Sequence, residues 1–263
     1  MRYYRTISLS TVIIFMSLLA ACVTTTTGGF NVDTSREQAQ EDYIQLALAY
    51  YDADDTTGAR RHINNALRLG DRNSRIYNVM ALIYQREGDL GLAEENFERA
   101  ISLDRENSRA RNNYAALLFS MERYREAYEQ LQRVTQDTTY EGRAIAFENL
   151  GRAALRLGRI DDAEAAFERG LQLNANLYVT ALELAIIKAD EGNWPEARRN
   201  FQRYLTIVSF FNIPHTPRAL LAGIQIEGKF QNASAVKDYT LILTTLYQDS
   251  PEYLLYQRTL NAN

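Results

Sequence analysis

Cysteine is almost missing from this chain: 263 residues contain one, Cys22. No disulfide can form within it, so packing alone must hold the fold. Proline is scarce at four, which leaves long stretches without a helix breaker, and 46% of residues are hydrophobic, enough for a packed helical core. Histidine occurs twice, as His62 and His215, far apart in sequence. With one cysteine and no paired histidines there is no zinc ligand set, and no metal is expected. Basic charge is not in excess either. The formal net charge is −4, and losing Arg2 and Arg5 with the first 21 residues, which hold no acid, makes it −6. That balance argues against a basic face for nucleic acid. Gly28-Gly29 is followed by no Lys-Ser/Thr pair, so it is no phosphate loop. Carboxylates such as Asp161-Asp162 and Glu94-Glu95 fall near arginines at helical spacing, as on solvated helix faces. No catalytic constellation emerges. Neither a cofactor nor a small-molecule substrate is expected, and the chain is read as non-enzymatic.

Residues 1–21 read as a signal peptide. Arg2 and Arg5 give a positive start, and Ile7–Leu19 is mostly apolar but too short for a good membrane span. The segment ends Leu19-Ala20-Ala21-Cys22, which resembles the lipobox of bacterial lipoproteins. The resemblance implies cleavage before Cys22 and lipidation of its thiol. Val23 follows, where an Asp would favour inner-membrane retention, so the expected location is the outer membrane, on its periplasmic face. Residues 22–35 form the lipidated cysteine and a flexible linker, with four threonines and Gly28-Gly29 and no helical period. As a coil, such a linker spans roughly 20 Å.

Residues 36–263 are organised by a repeat. Ala59, Ala93 and Ala127 stand 34 apart; Ala163 and Ala197 are again 34 apart, after a two-residue insertion. Around each lie apolar residues spaced by three or four, as on one helix face. Small residues at Ala81, Ala115 and Gly151 let two helices approach, and turn signals with Gly88, Gly158 and Gly192 separate them. A two-helix unit of about 34 residues is the tetratricopeptide period. The fold class is therefore all-α: a right-handed superhelical solenoid of about six such repeats. The sixth is degenerate, set apart by Ser209–Thr216, and a short helix after Ser250-Pro251 caps the array.

Solenoids of this kind usually bind rather than catalyse, and the first helices line the concave face. Counting along each unit places Ile44, Leu48 and Tyr51 inward in repeat one, and Asn78 and Leu82 in repeat two. Asn112, Asn113 and Phe119 follow in repeat three, Asn149 and Arg152 in repeat four. The groove begins apolar and becomes lined by amides and arginine. Its amides can either grip a peptide backbone or bond neighbouring helices.

Several runs go beyond the repeat. Asn112-Asn113-Tyr114, Glu122 through Tyr128, Gln136-Asp137-Thr138-Thr139-Tyr140, Phe147-Glu148-Asn149-Leu150-Gly151 and the end from Leu246-Tyr247 to Glu252-Tyr253 resemble the type IV pilus biogenesis lipoprotein family. Its members are outer-membrane tetratricopeptide lipoproteins, the pilotins of the pilus secretin. The resemblance implies a partner, the secretin subunit, and a role in its localisation and multimer assembly for twitching motility. The alternatives are an outer-membrane scaffold lipoprotein that docks peptidoglycan hydrolases or assembly factors and, more weakly, a hydrolase with a hidden site.

Overall fold

The structure, a computed structural model, describes residues 32–261, and side chains from 35 onward. The leader, Cys22 and most of the expected linker lie outside the described residues. Those described form helices without a strand. α1 (Val32–Asp52) is followed by α2 (Thr56–Leu69), α3 (Ser74–Glu87) by α4 (Leu90–Leu103), and α5 (Ser108–Ser120) by α6 (Tyr124–Val134). Then come α7 (Arg143–Arg156) with α8 (Ile160–Leu173), α9 (Tyr178–Asp190) with α10 (Trp194–Phe210), and α11 (Pro217–Lys229) with α12 (Ala233–Leu246). A last helix, α13 (Pro251–Asn261), packs back on α11. The result is the tetratricopeptide solenoid the repeat period implies.

α1 reaches back to Val32, into the stretch the sequence assigns to the linker. Good helix formers from Glu37 to Glu41 favour that extension. Gln40 Nε2 donates to the Gly70 carbonyl at 2.9 Å, and Arg36 to that of Leu69, so the first turns are tied to the end of α2.

Each pair is closed by one residue in the left-handed region. Gly88, Gly158 and Gly192 supply it at φ 85°, 71° and 77°, where glycine carries no Cβ penalty. Asp54, Glu122 and Gln231 hold the same place in the other three pairs, at φ 63°, 61° and 55°. Just beyond, Asp55, Asp89, Asn193 and Asn232 accept a backbone N–H of the second helix as N-caps.

The periodic alanines are the seams. Ala59, Ala93, Ala127, Ala163 and Ala197 are all 0% exposed. Gly151 faces the Phe167 ring so closely that a Cβ there would lie 2.5 Å from it. The core runs along the array in three stretches, from Ile44 to Ile83, from Ala81 to Ile187 and from Ala181 to Ile226. The insertion leaves the middle stretch unbroken. Asp137 accepts the Ser108 hydroxyl at 2.6 Å and, within its own turn, the Thr139 hydroxyl at 2.7 Å and N–H at 2.9 Å. These bonds, the Ser108 one foremost, hold its carboxyl down at about 2.

Candidate functional site

Successive first helices touch: α1 meets α3, α3 meets α5, α5 meets α7 and α9 meets α11. They form one inner wall, and its stripes differ in what they expose. Ile44, Asn78 and Asn112 are equivalent positions 34 apart, and all three are buried. Ile44 is 0% exposed, packed in the core with Ile63, Ile76 and Val79. Its assignment to the groove is therefore corrected: Ile44 lies in the seam where one first helix meets the next.

The amides show the same seam. Asn113 Nδ2 donates to Asn78 Oδ1 at 3.0 Å, from α5 to α3. Asn149 Nδ2 donates to Asn112 Oδ1 at 3.3 Å, from α7 to α5. Of the two uses left open by the sequence, these contacts are the bonding of neighbouring helices. An amide pair costs little to bury because each group replaces a water partner.

The aromatic positions are covered by arginines of the following repeat. The Arg86 guanidinium lies 3.5 Å from the centre of the Tyr51 ring, and Arg86 also donates to the Tyr51 carbonyl. Arg152 lies 5.1 Å over Phe119, whose edge meets Tyr124 at 5.1 Å. Phe119 and Arg152, two expected binding residues, are thus each other's partner. In repeat four the wall is filled further by Glu148, which accepts from the Thr180 hydroxyl at 2.7 Å.

What remains open is a cleft of ≈ 830 Å³ over the first three repeats. Leu48 and Leu82, equivalent and both half-buried, form its apolar floor with Val79; Asn78 and Asn113 border it. Four of the expected residues are therefore brought together here. Arg75 and Arg109 stand at the rim, one at the start of α3 and the other of α5. Arg75 is engaged by Glu41. Partial burial pushes the Glu41 carboxyl up, but bonds from Gln45 and Arg75 outweigh it and hold the group below its ordinary value. Arg109 forms no ion pair or hydrogen bond among the described residues. Tyr140, from the insertion, closes the far side, its hydroxyl pKa raised by burial. Periodicity could not place Tyr140; the only signal was that it sits in the inserted run.

A second hollow of ≈ 890 Å³ lies at the turn edge between α1 and α3, lined mostly by Arg36, Gln40, Asp71, Arg72 and Asn73. Leu69 and Leu103 also line it, and it shares Arg75 and Asp104 with the cleft. Among the described residues no group of three or more His, Cys, Asp or Glu is placed to hold a metal, and no helix is long and apolar enough to cross a membrane. A surface of leucines, amides and arginines suits an extended chain; the Ser108 hydroxyl at its edge is bonded to Asp137, whose carboxyl, held down at about 2, is a weak base.

Comparison with known proteins agrees with the geometry. Tetratricopeptide repeat families match residues 84–140 and 144–177. The type IV pilus assembly protein PilF of Pseudomonas aeruginosa is 32% identical over 240 residues, 91% of this chain and 93% of that protein. The solved structure of P. aeruginosa PilF superposes with a TM-score of 0.81, covering 86% of this chain and 99% of that one. That of PilW, a widely conserved type IV pilus biogenesis factor, superposes at 0.70 with 27% identity, covering 84% and 99%. By fold, length and sequence together, this chain belongs to the type IV pilus biogenesis family of tetratricopeptide repeat proteins that includes PilF and PilW.

Proposed function

We propose that the chain is a lipid-anchored outer-membrane protein that binds subunits of the type IV pilus secretin and promotes their localisation and multimer assembly. The observation that carries the reading is the open cleft floored by Leu48 and Leu82. Further along the same wall, Phe119 is covered by Arg152, and Asn149 and Glu148 are hydrogen-bonded to neighbouring helices. A secretin segment with an aliphatic side chain fits between the two leucines, which also lie in the repeats nearest Cys22. A subunit held there stays close to the membrane it must enter, with its apolar surface covered.

Binding of soluble secretin by purified Leu48→Asp and Leu82→Asp proteins tests this. Truncating a central desolvated contact costs about 2 kcal/mol or more, roughly thirtyfold in affinity. Both variants are expected to lose that much and to leave secretin monomeric in cells, while Arg152→Ala, distant on repeat four, matters less. Wild-type binding by both aspartate variants places the docking surface elsewhere and removes the reading.

The anchor is tested separately. Three acyl chains on Cys22, as the resemblance to the lipobox of bacterial lipoproteins implies, would exceed the two signals that stable attachment needs. Cys22→Ser is expected to leave the outer-membrane fraction and become soluble or inner-membrane protein. Normal outer-membrane recovery of that variant rules lipidation out as the anchor.

A further inference from the structure

Between the fifth and sixth pairs the chain does not turn tightly. It passes through residues 211–216, and this link is pinned at one side chain. Asn212 takes a left-handed conformation at φ 52°, and Ile213 is partly buried against the core of the fifth and sixth pairs. His215 then inserts its ring between α10 and α12. Its Nδ1 shares a hydrogen bond with the Tyr204 hydroxyl at 3.0 Å. Its ring meets Tyr204 tilted at 5.7 Å and Tyr239 edge-on at 6.1 Å. Its carbonyl accepts the Tyr247 hydroxyl, from the end of α12, at 2.9 Å. Tyr204 is only 2% exposed. The packing beneath is close: a Cβ at Gly223 would lie 2.7 Å from Phe201 and 2.8 Å from Tyr239.

We propose that His215 is a pH-sensitive pin: neutral, it holds the sixth helix pair and α13 on the array, and protonated, it lets them loosen. Among the described residues no carboxylate faces it to receive a proton's charge. From α10 it faces Tyr204, and from α12 Tyr239 and Tyr247; Tyr178 of α9 stands behind Tyr204. The carboxylates of this region, Glu227 of α11 and Asp238 of α12, face Tyr239 rather than the imidazole, and Arg198 and Asn232 engage Glu227. With the ring proton on Nε2, Tyr204 donates to Nδ1. Once both nitrogens carry a proton, Nδ1–H can only donate to the Tyr204 oxygen, so the bond reverses and the hydrogen of a nearly fully buried hydroxyl loses its acceptor.

Burial holds the His215 pKa below its ordinary value of 6.5. The sign follows from the depressed value. The folded state disfavours the proton, so the stabilisation is complete above the unfolded value of about 6.5 and is lost as pH falls through the folded one. A histidine is the side chain suited to such a response in mild acid. The pin is independent of what the cleft binds.

Amide hydrogen exchange of the full described chain, corrected for intrinsic rates, reads the effect. Between pH 7.5 and 5.5, α11–α13 are expected to exchange faster, by no more than tenfold per pH unit, the limit for one proton. α3–α6 should not change. His215→Asn keeps an acceptor near the Nδ1 position and cannot titrate, so its profile should be flat. The chain's two histidines, His62 and His215, are separable by imidazole NMR, which gives the His215 midpoint directly. The exchange midpoint should coincide with it, and this comparison holds even if the variant's last pair is loose at every pH. No acceleration in the natural protein, the same acceleration in His215→Asn, or midpoints that separate would each overturn the proposal.

Discussion

Phe167→Ala is expected to lower the stability of the array by about 3–5 kcal/mol, the usual cost of deleting a fully buried ring. Phe167 is 0% exposed and sits in the longest stretch of core, between α7 and α8. Its ring covers Gly151, which has no side chain to fill the gap it would leave. The loss should not be felt evenly. Each pair leans only on its neighbours, so a weakened fourth pair separates the array into an N-terminal and a C-terminal half. Thermal unfolding is then expected to broaden or split, and a single transition temperature ceases to describe it.

The partner substitution gives a sharper check. Gly151→Ala alone sets a Cβ 2.5 Å from the Phe167 ring, and overpacking of this kind costs about 1–3 kcal/mol. In a Phe167→Leu background the same methyl meets a smaller side chain. There the helix preference of alanine over glycine, about 0.5–1 kcal/mol, should appear instead. The sign of the Gly151→Ala effect therefore reverses with residue 167. An additive cycle would show that the two positions do not touch.

That contact was partly legible in the sequence, and the reason is instructive. A glycine mid-helix where Ala81, Ala115 and Ala185 stand in other repeats signals close approach, and the 34-residue period supplies the element facing it. The turns were legible where glycine marks them, at Gly88, Gly158 and Gly192. They were silent at Asp54, Glu122 and Gln231, because a polar side chain in a left-handed turn has no distinctive spacing. Groove positions were harder. Counting along a helix gives the angle of a side chain but not the distance of the next first helix. Leu48 and Leu82 fell in the open cleft, whereas Ile44 and Asn112 are buried in the seam, and Asn78, one helical turn before Leu82, is buried at the cleft's border. Tyr51 and Phe119 are not in the cleft's lining, and Arg86 and Arg152 cover them. Each cover comes from the next repeat, on a long flexible side chain whose reach no period encodes.

The last pair rests on chemistry the repeat pattern also hides, and Arg198→Met is expected to expose it with a loss of about 3–5 kcal/mol. Arg198 of α10 holds Glu227 of α11 in a fork, Nε to Oε1 at 3.0 Å and Nη2 to Oε2 at 2.9 Å. The Glu227 side chain is 5% exposed and that of Arg198 33%. Removing the arginine leaves a nearly dry carboxylate with one remaining side-chain donor, Asn232 Nδ2 at 2.8 Å. A methionine keeps much of the stem but loses the guanidinium that lies 4.4 Å over the Phe230 ring, so a control must separate the buried charge from that contact. The control is the double change Arg198→Met with Glu227→Gln. It removes the buried charge and keeps an acceptor for Asn232, and it should recover most of the loss. Because α11–α13 form one end of the array, they can detach without unfolding the rest. Limited proteolysis should then cut the single variant in the link at residues 211–216 at every pH, leaving a stable fragment that ends near Phe210. A double variant as labile as Arg198→Met would mean that the arginine acts through packing alone, and that the ion pair does not hold the last repeat.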